Sequence, residues 1–97
     1  MRYSLRIVEG ENKGKEYILV LGDTILGRSK EANIVIDSGK ISKKHCCLSW
    51  KKEQLSIKDL KSSNGIFVNG TKVEQSDLTH GDRIVIGDSV FVVVEGK

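Results

Sequence analysis

The feature that most constrains this chain is how often it is interrupted. Glycine, asparagine, aspartate or serine breaks nearly every apolar run after a few residues. No stretch keeps apolar residues at helical spacing for long enough to make an amphipathic helix. The runs between breaks alternate apolar and polar residues instead, which is the period of a strand with one wet face. Tyr3, Leu5 and Ile7 alternate with Arg2, Ser4 and Arg6, which predicts a first strand whose polar face holds Ser4. Further strands are expected over Glu16 to Leu21, Thr24 to Gly27, Asn33 to Ile36 and His45 to Trp50. Others are expected around Leu55 and Ile57, over Ile66 to Val68, and at Thr71 to Val73. Arg83 to Ile86 and Ser89 to Val94 read as a terminal hairpin around Gly87-Asp88. Glu11 to Gly14 and Asn69-Gly70 read as turns, the latter a two-residue hairpin turn. Asp23 and Asp88 are read as ordinary turn residues. About 10–11 short strands of this kind specify an all-β, two-sheet antiparallel sandwich.

Length and composition narrow the function classes. The 97 residues suit one domain over 1–97. Net charge is +3 and only 5% of residues are aromatic, a poor basis for nucleic-acid binding by charge or base stacking. No stretch approaches the roughly 18 consecutive apolar residues of a membrane span. The N-terminal residues alternate polar and apolar without a signal-type block, so a cytoplasmic protein with no membrane association is expected. Cys46 and Cys47 are adjacent, and on a strand their side chains diverge. No disulfide between them is expected.

Four short signals remain: Gly27-Arg28, Ser42-Lys43-Lys44-His45, Ser63-Asn64-Gly65 and Asn69-Gly70. Each is weak singly. Ser42, His45 and Asp59 have the residue types of a hydrolase triad, but the serine lacks a Gly-x-Ser-x-Gly elbow. His45, Cys46, Cys47 and His80 have metal-ligand chemistry without a Cys-x-x-Cys pair. Neither catalysis nor a metal site is expected, and no cofactor motif such as a P-loop is present.

In order and at this spacing, the signals resemble one family. Gly27-Arg28, Ser42-x-x-His45, the run Asp59 to Gly70, and Leu78-x-x-Gly81-Asp82-x-Ile84-x-Ile86-Gly87 are similar to a forkhead-associated (FHA) domain. The likeness runs from about Ile7 to Val94. It implies a sandwich of the FHA/SMAD-like kind whose loops at one end grip a phosphothreonine peptide. By this resemblance Arg28, Ser42 and Lys43 hold the phosphate, Ser63 contacts it, and Asn64 bonds the peptide main chain. Lys40 lies near the third residue after the phosphothreonine and favours an acidic partner residue there. Gly27, His45 and Gly65 support the site, His45 by internal hydrogen bonds.

The partner implied is a phosphothreonine-containing protein made by a Ser/Thr kinase, bound by a monomer that does no chemistry. A rival reading is a scaffold that binds without phosphorylation, for which a retained Arg28, Ser42 and Asn64 would be idle. Two positions depart from the family pattern: Ile66 where threonine is frequent, and Lys43 where arginine is. The convergence of Arg28 with Ser42 does not follow from strand order. In an up-and-down arrangement, the loops before and after Asn33 to Ile36 fall at opposite ends.

Overall fold

The computed structural model describes residues 2–96. Met1 and Lys97, the outermost residues of the expected 1–97 span, lie outside the described residues. The described chain forms β1 (Arg2–Glu9), β2 (Glu16–Ile18), β3 (Gly22–Gly27), β4 (Ile34–Val35), β5 (Cys46–Lys51) and β6 (Gln54–Asp59). It continues with β7 (Ile66–Val68), β8 (Thr71–Val73), β9 (Gln75–Leu78), β10 (Arg83–Ile86) and β11 (Ser89–Gly96). One sheet has the order β2-β1-β11-β10-β7-β8 and the other β4-β3-β5-β6-β9.

The alternation in sequence becomes the core. Leu5, Ile7, Ile84, Ile86, Phe91 and Val93 from one sheet bury against Leu26, Ile34, Cys46, Leu48, Leu55 and Ile57 from the other, with Ile36 just past β4. Each such aliphatic or aromatic side chain contributes about 1.5–3 kcal/mol on leaving water. Tyr3 meets Trp50 edge to face, with ring centroids 5.3 Å apart, and closes the end of the core. The longest pairing joins the two ends of the chain, Arg2 opposite Gly96 through Ile7 opposite Phe91. Asn69 and Gly70 both take positive φ, 50° and 87°, and turn β7 into β8 as their residue types require.

Three expectations are corrected. Ser4 is buried rather than wet, because β2 folds over it and Glu16 Oε2 accepts its hydroxyl proton at 2.9 Å. The second strand ends at Ile18, short of Leu21: Leu19 turns into the core and its N–H donates to Tyr3 O, while Val20 and Leu21 stay exposed. β9 has no counterpart among the predicted strands, since Leu78 is its only buried residue.

One pair departs from the antiparallel rule. β4 runs parallel to β3, with Ile34 beside Leu26 and Val35 beside Gly27. Residues 28–33 carry the chain back to the starting level of this short pairing. Asn33 fixes the return: its N–H donates to Ile25 O at 2.9 Å, and its Oδ1 accepts the Ile25 N–H at 2.8 Å. A parallel neighbour ordinarily needs a long crossover. Here a short return suffices because β4 has only two residues. β3 and β4 therefore end at the same end of the sandwich, where β5 begins and β6 finishes.

Candidate functional site

The parallel pair brings the residues after β3 and after β4 together. The Arg28 N–H donates to Ser42 O at 3.0 Å and the Ser29 N–H to Lys43 O at 3.1 Å. Gly27 permits this approach, since a Cβ there would lie 2.0 Å from Lys43 O. Arg28 Nε donates to Ile41 O at 3.0 Å. Its two terminal nitrogens have no protein partner among the described residues.

The loop between β6 and β7 completes the arrangement. Ser42 Oγ accepts the Ser63 N–H at 3.0 Å, and Asn64 Nδ2 donates to Lys40 O at 2.8 Å. Arg28, Lys40, Ser42, Lys43, Ser63 and Asn64 line one open cleft of about 360 Å³, joined by Gly39 and Ile41. All six expected contact residues share this cleft, and no carboxylate lines it. The two ion pairs among the described residues, Arg6–Glu16 and Arg83–Glu9, leave its cations unengaged.

His45 lies beneath the cleft, fully buried. Its Nδ1 accepts the Ser42 backbone N–H at 3.0 Å, so Nε2 carries the ring proton and donates to Gly65 O at 2.8 Å. Both nitrogens are thus committed to fixing the two loops against each other. The triad arrangement of Ser42, His45 and Asp59 does not form. His45 meets the Ser42 backbone instead of its hydroxyl, and Asp59 accepts bonds from the Ser62 N–H and hydroxyl. Ser62 Oγ in turn accepts the Gly65 N–H at 2.9 Å, where Gly65 takes a φ of 76°. Asp59 and Ser62 thereby hold the Ser63–Gly65 turn, a role their sequence signal, an Asp three residues before a Ser, only hints at.

Asp88 is the clearest omission of sequence reasoning. Its carboxylate accepts the hydroxyl proton of the buried Ser38 at 2.7 Å. Ser38 Oγ also accepts the Lys40 N–H at 3.2 Å. Nothing local in Gly87-Asp88 signals this, because the partner is far away along the chain. His80 sits at the opposite end of the sandwich, where its Nδ1 accepts the Glu95 N–H. Among the described residues, no group of three or more His, Cys, Asp or Glu side chains could hold a metal ion. The two cysteines are free thiols on opposite faces, Cys46 buried and Cys47 half-buried. Burial, with a smaller part from Asp59, pushes the Cys46 thiol well above its ordinary range.

Comparison with known proteins identifies the family and the fold. Residues 24–87 match the family model described as the FHA domain. The glycogen accumulation regulator GarA of Mycobacterium tuberculosis is 28% identical over 92 residues, covering 95% of this chain and 57% of that protein. The crystal structure of the FHA domain of CT664 protein from Chlamydia trachomatis superposes with a TM-score of 0.94 at 30% identity, covering 100% of both chains. A structure from a study of phosphothreonine-dependent FHA domain interactions superposes with a TM-score of 0.93 at 29% identity, covering 100% of this chain and 99% of that one. The chain spans only 16% and 57% of the first curated relatives it matches.

Proposed function

The chain belongs to the FHA domain family, and from that premise we propose that it is a phosphothreonine-dependent protein–protein interaction module and not an enzyme. The observation that carries this reading is the cleft itself. Arg28 and Ser42, from different loops, meet with Lys43 where no carboxylate competes for them.

A phosphothreonine brings about −1.5 to −2 charges and three strong acceptor oxygens. The terminal nitrogens of Arg28 are free to donate to it, and Nε already fixes the plane of the guanidinium. Because Ser42 Oγ accepts the Ser63 N–H, its own proton is left to donate outward. Lys43 adds a cation, and the Ser63 hydroxyl lies on the same rim. Each hydrogen bond to a charged group contributes about 1.5–3 kcal/mol, so an unmodified threonine forfeits most of the affinity. Asn64 would exchange its bond to Lys40 O for the peptide main chain. Lys40 favours an acidic residue third after the phosphothreonine. The loops are already braced by His45, which lowers the ordering cost of binding.

The partner in this reading is a product of a Ser/Thr kinase in the cytoplasm, and the domain acts as a monomer. A similar chain solved in the context of phosphothreonine-dependent interactions supports the ligand class. The test is a calorimetric titration of matched peptides carrying phosphothreonine, phosphoserine or threonine. Binding is expected in that order, with the unmodified peptide negligible. A buried methyl-sized group, about 0.8 kcal/mol, gives roughly a fourfold preference for phosphothreonine over phosphoserine. Equal binding of all three peptides would refute the reading.

A further inference from the structure

Lys72 lies on the edge strand β8, outside the cleft and outside every motif singled out in the sequence. Phe67 is its register partner on β7. From that position its side chain leans toward the loop end of the sandwich. A Cβ built on Gly65 would lie 2.7 Å from Lys72 Cε, 3.5 Å from Nζ and 3.7 Å from Cδ. The outer half of the lysine therefore rests on the Gly65 backbone, in the space a side chain would fill. Gly65 is buried although its neighbour Asn64 is exposed.

Two consequences follow. The stem is packed against Gly65, the residue that follows the cleft-lining Asn64, while Lys72 as a whole stays exposed to solvent. The ammonium also has no carboxylate partner among the described residues, the two ion pairs there lying elsewhere. Asn64 is flanked by two different lysine-bearing segments. Its amide is bonded to the backbone of Lys40 on one side, and the residue next to it lies under Lys72 on the other.

We infer that Lys72 is a specificity-determining residue that reads an acidic group, carboxylate or phosphate, on the partner segment passing beyond Asn64. The inference rests on the cleft being the phosphothreonine site. The group it reads is at a different partner position from the one facing Lys40. An exposed ion pair of about 0.2–1 kcal/mol corresponds to a preference of up to about fivefold.

An oriented phosphothreonine peptide library tests this with the wild-type chain, Lys72→Gln, Lys72→Glu and, as a control, Lys40→Gln. The wild type is expected to enrich Asp and Glu at a flanking position that Lys40→Gln leaves unchanged. Lys72→Gln should abolish that enrichment, and Lys72→Glu should replace it with Lys and Arg at the same position. Individual peptides carrying glutamate or phosphoserine there distinguish the two anion sources. A peptide with alanine at that position should bind both Lys72 variants within twofold of the wild type, and the melting temperatures of the three chains should agree. Identical profiles for the wild type and both Lys72 variants would overturn the role of Lys72 alone. So would a uniform loss of affinity for every peptide, which a merely structural lysine produces. A wild-type chain that binds no phosphothreonine peptide would overturn the underlying function as well.

Discussion

The hydroxyl of Ser38 donates to the carboxylate of Asp88 at 2.7 Å, joining the loop that carries Lys40 to Ser42 to a hairpin 50 residues away. The bond is partly buried, and Gly87 beside it packs so closely that a Cβ would meet Ile41 Cγ1 at 2.7 Å. The cleft is therefore built on a third support besides β3 and the Ser63–Gly65 turn. Asp88→Ala should cost about 1.5–3 kcal/mol of stability, the range for a hydrogen bond to a charged group. It should also weaken phosphopeptide affinity several-fold by loosening the loop. Urea unfolding and calorimetry on the same preparation check both effects. Unchanged affinity would mean that the Gly87 contact alone holds the loop.

Arg28→Ala should remove measurable phosphopeptide binding yet leave a folded chain. Among the described residues its side chain makes one intramolecular bond, to Ile41 O, worth about 1–3 kcal/mol if that carbonyl is left unsatisfied. Circular dichroism and a binding titration suffice. An unfolded variant would assign Arg28 a structural role larger than one hydrogen bond.

His45 should respond in the opposite order. Its removal leaves the Ser42 N–H and the Gly65 carbonyl without partners inside the protein. At about 1–3 kcal/mol each, His45→Ala should lose about 2–6 kcal/mol, a large share of what a domain of this size has. The readout is the urea midpoint, with binding measured only under conditions where the variant remains folded. A variant as stable as the wild type but unable to bind would make His45 a ligand contact instead of a brace.

The two thiols should differ in reactivity. Cys46 is buried and its thiol is held protonated by burial, whereas Cys47 is half-exposed on the outer face. Iodoacetamide at mildly alkaline pH should add one label to the native chain, at Cys47, and two labels in urea. Mass spectrometry of the digested protein reads the positions. Rapid labelling of Cys46 in the native state would contradict the packing of β5.

Much of this molecule is legible from residues alone because its information is local. Alternation places Leu5, Ile7, Leu48, Ile57 and Phe91 inside, and Asn69-Gly70 needs positive φ at both positions. What stays hidden depends on distant partners. Ser4 reads as a wet-face residue until β2 covers it, and Asp88 reads as turn chemistry until Ser38 arrives. β9 carries too little apolar pattern to be seen, since only Leu78 faces the core. The cleft residues could be named by family likeness, but their meeting point could not be read from periodicity. The missing piece was β4, whose direction is set by Asn33 bonding back to Ile25 and not by its own two residues.

That short parallel strand has a consequence for the dynamics of the free chain. Few backbone bonds hold β4, so its detachment is a local opening that would loosen the loop carrying Ser42 without melting the sandwich. A ligand that bridges Arg28 and Ser42 closes the same route from the other side. Occupancy of the cleft should then slow deuterium uptake at the Asn33 and Ile36 amides, which pair with Ile25 and Gly27 and line no part of the cleft. Two residues of strand would in this way let the far edge of the sheet report whether the loops are engaged.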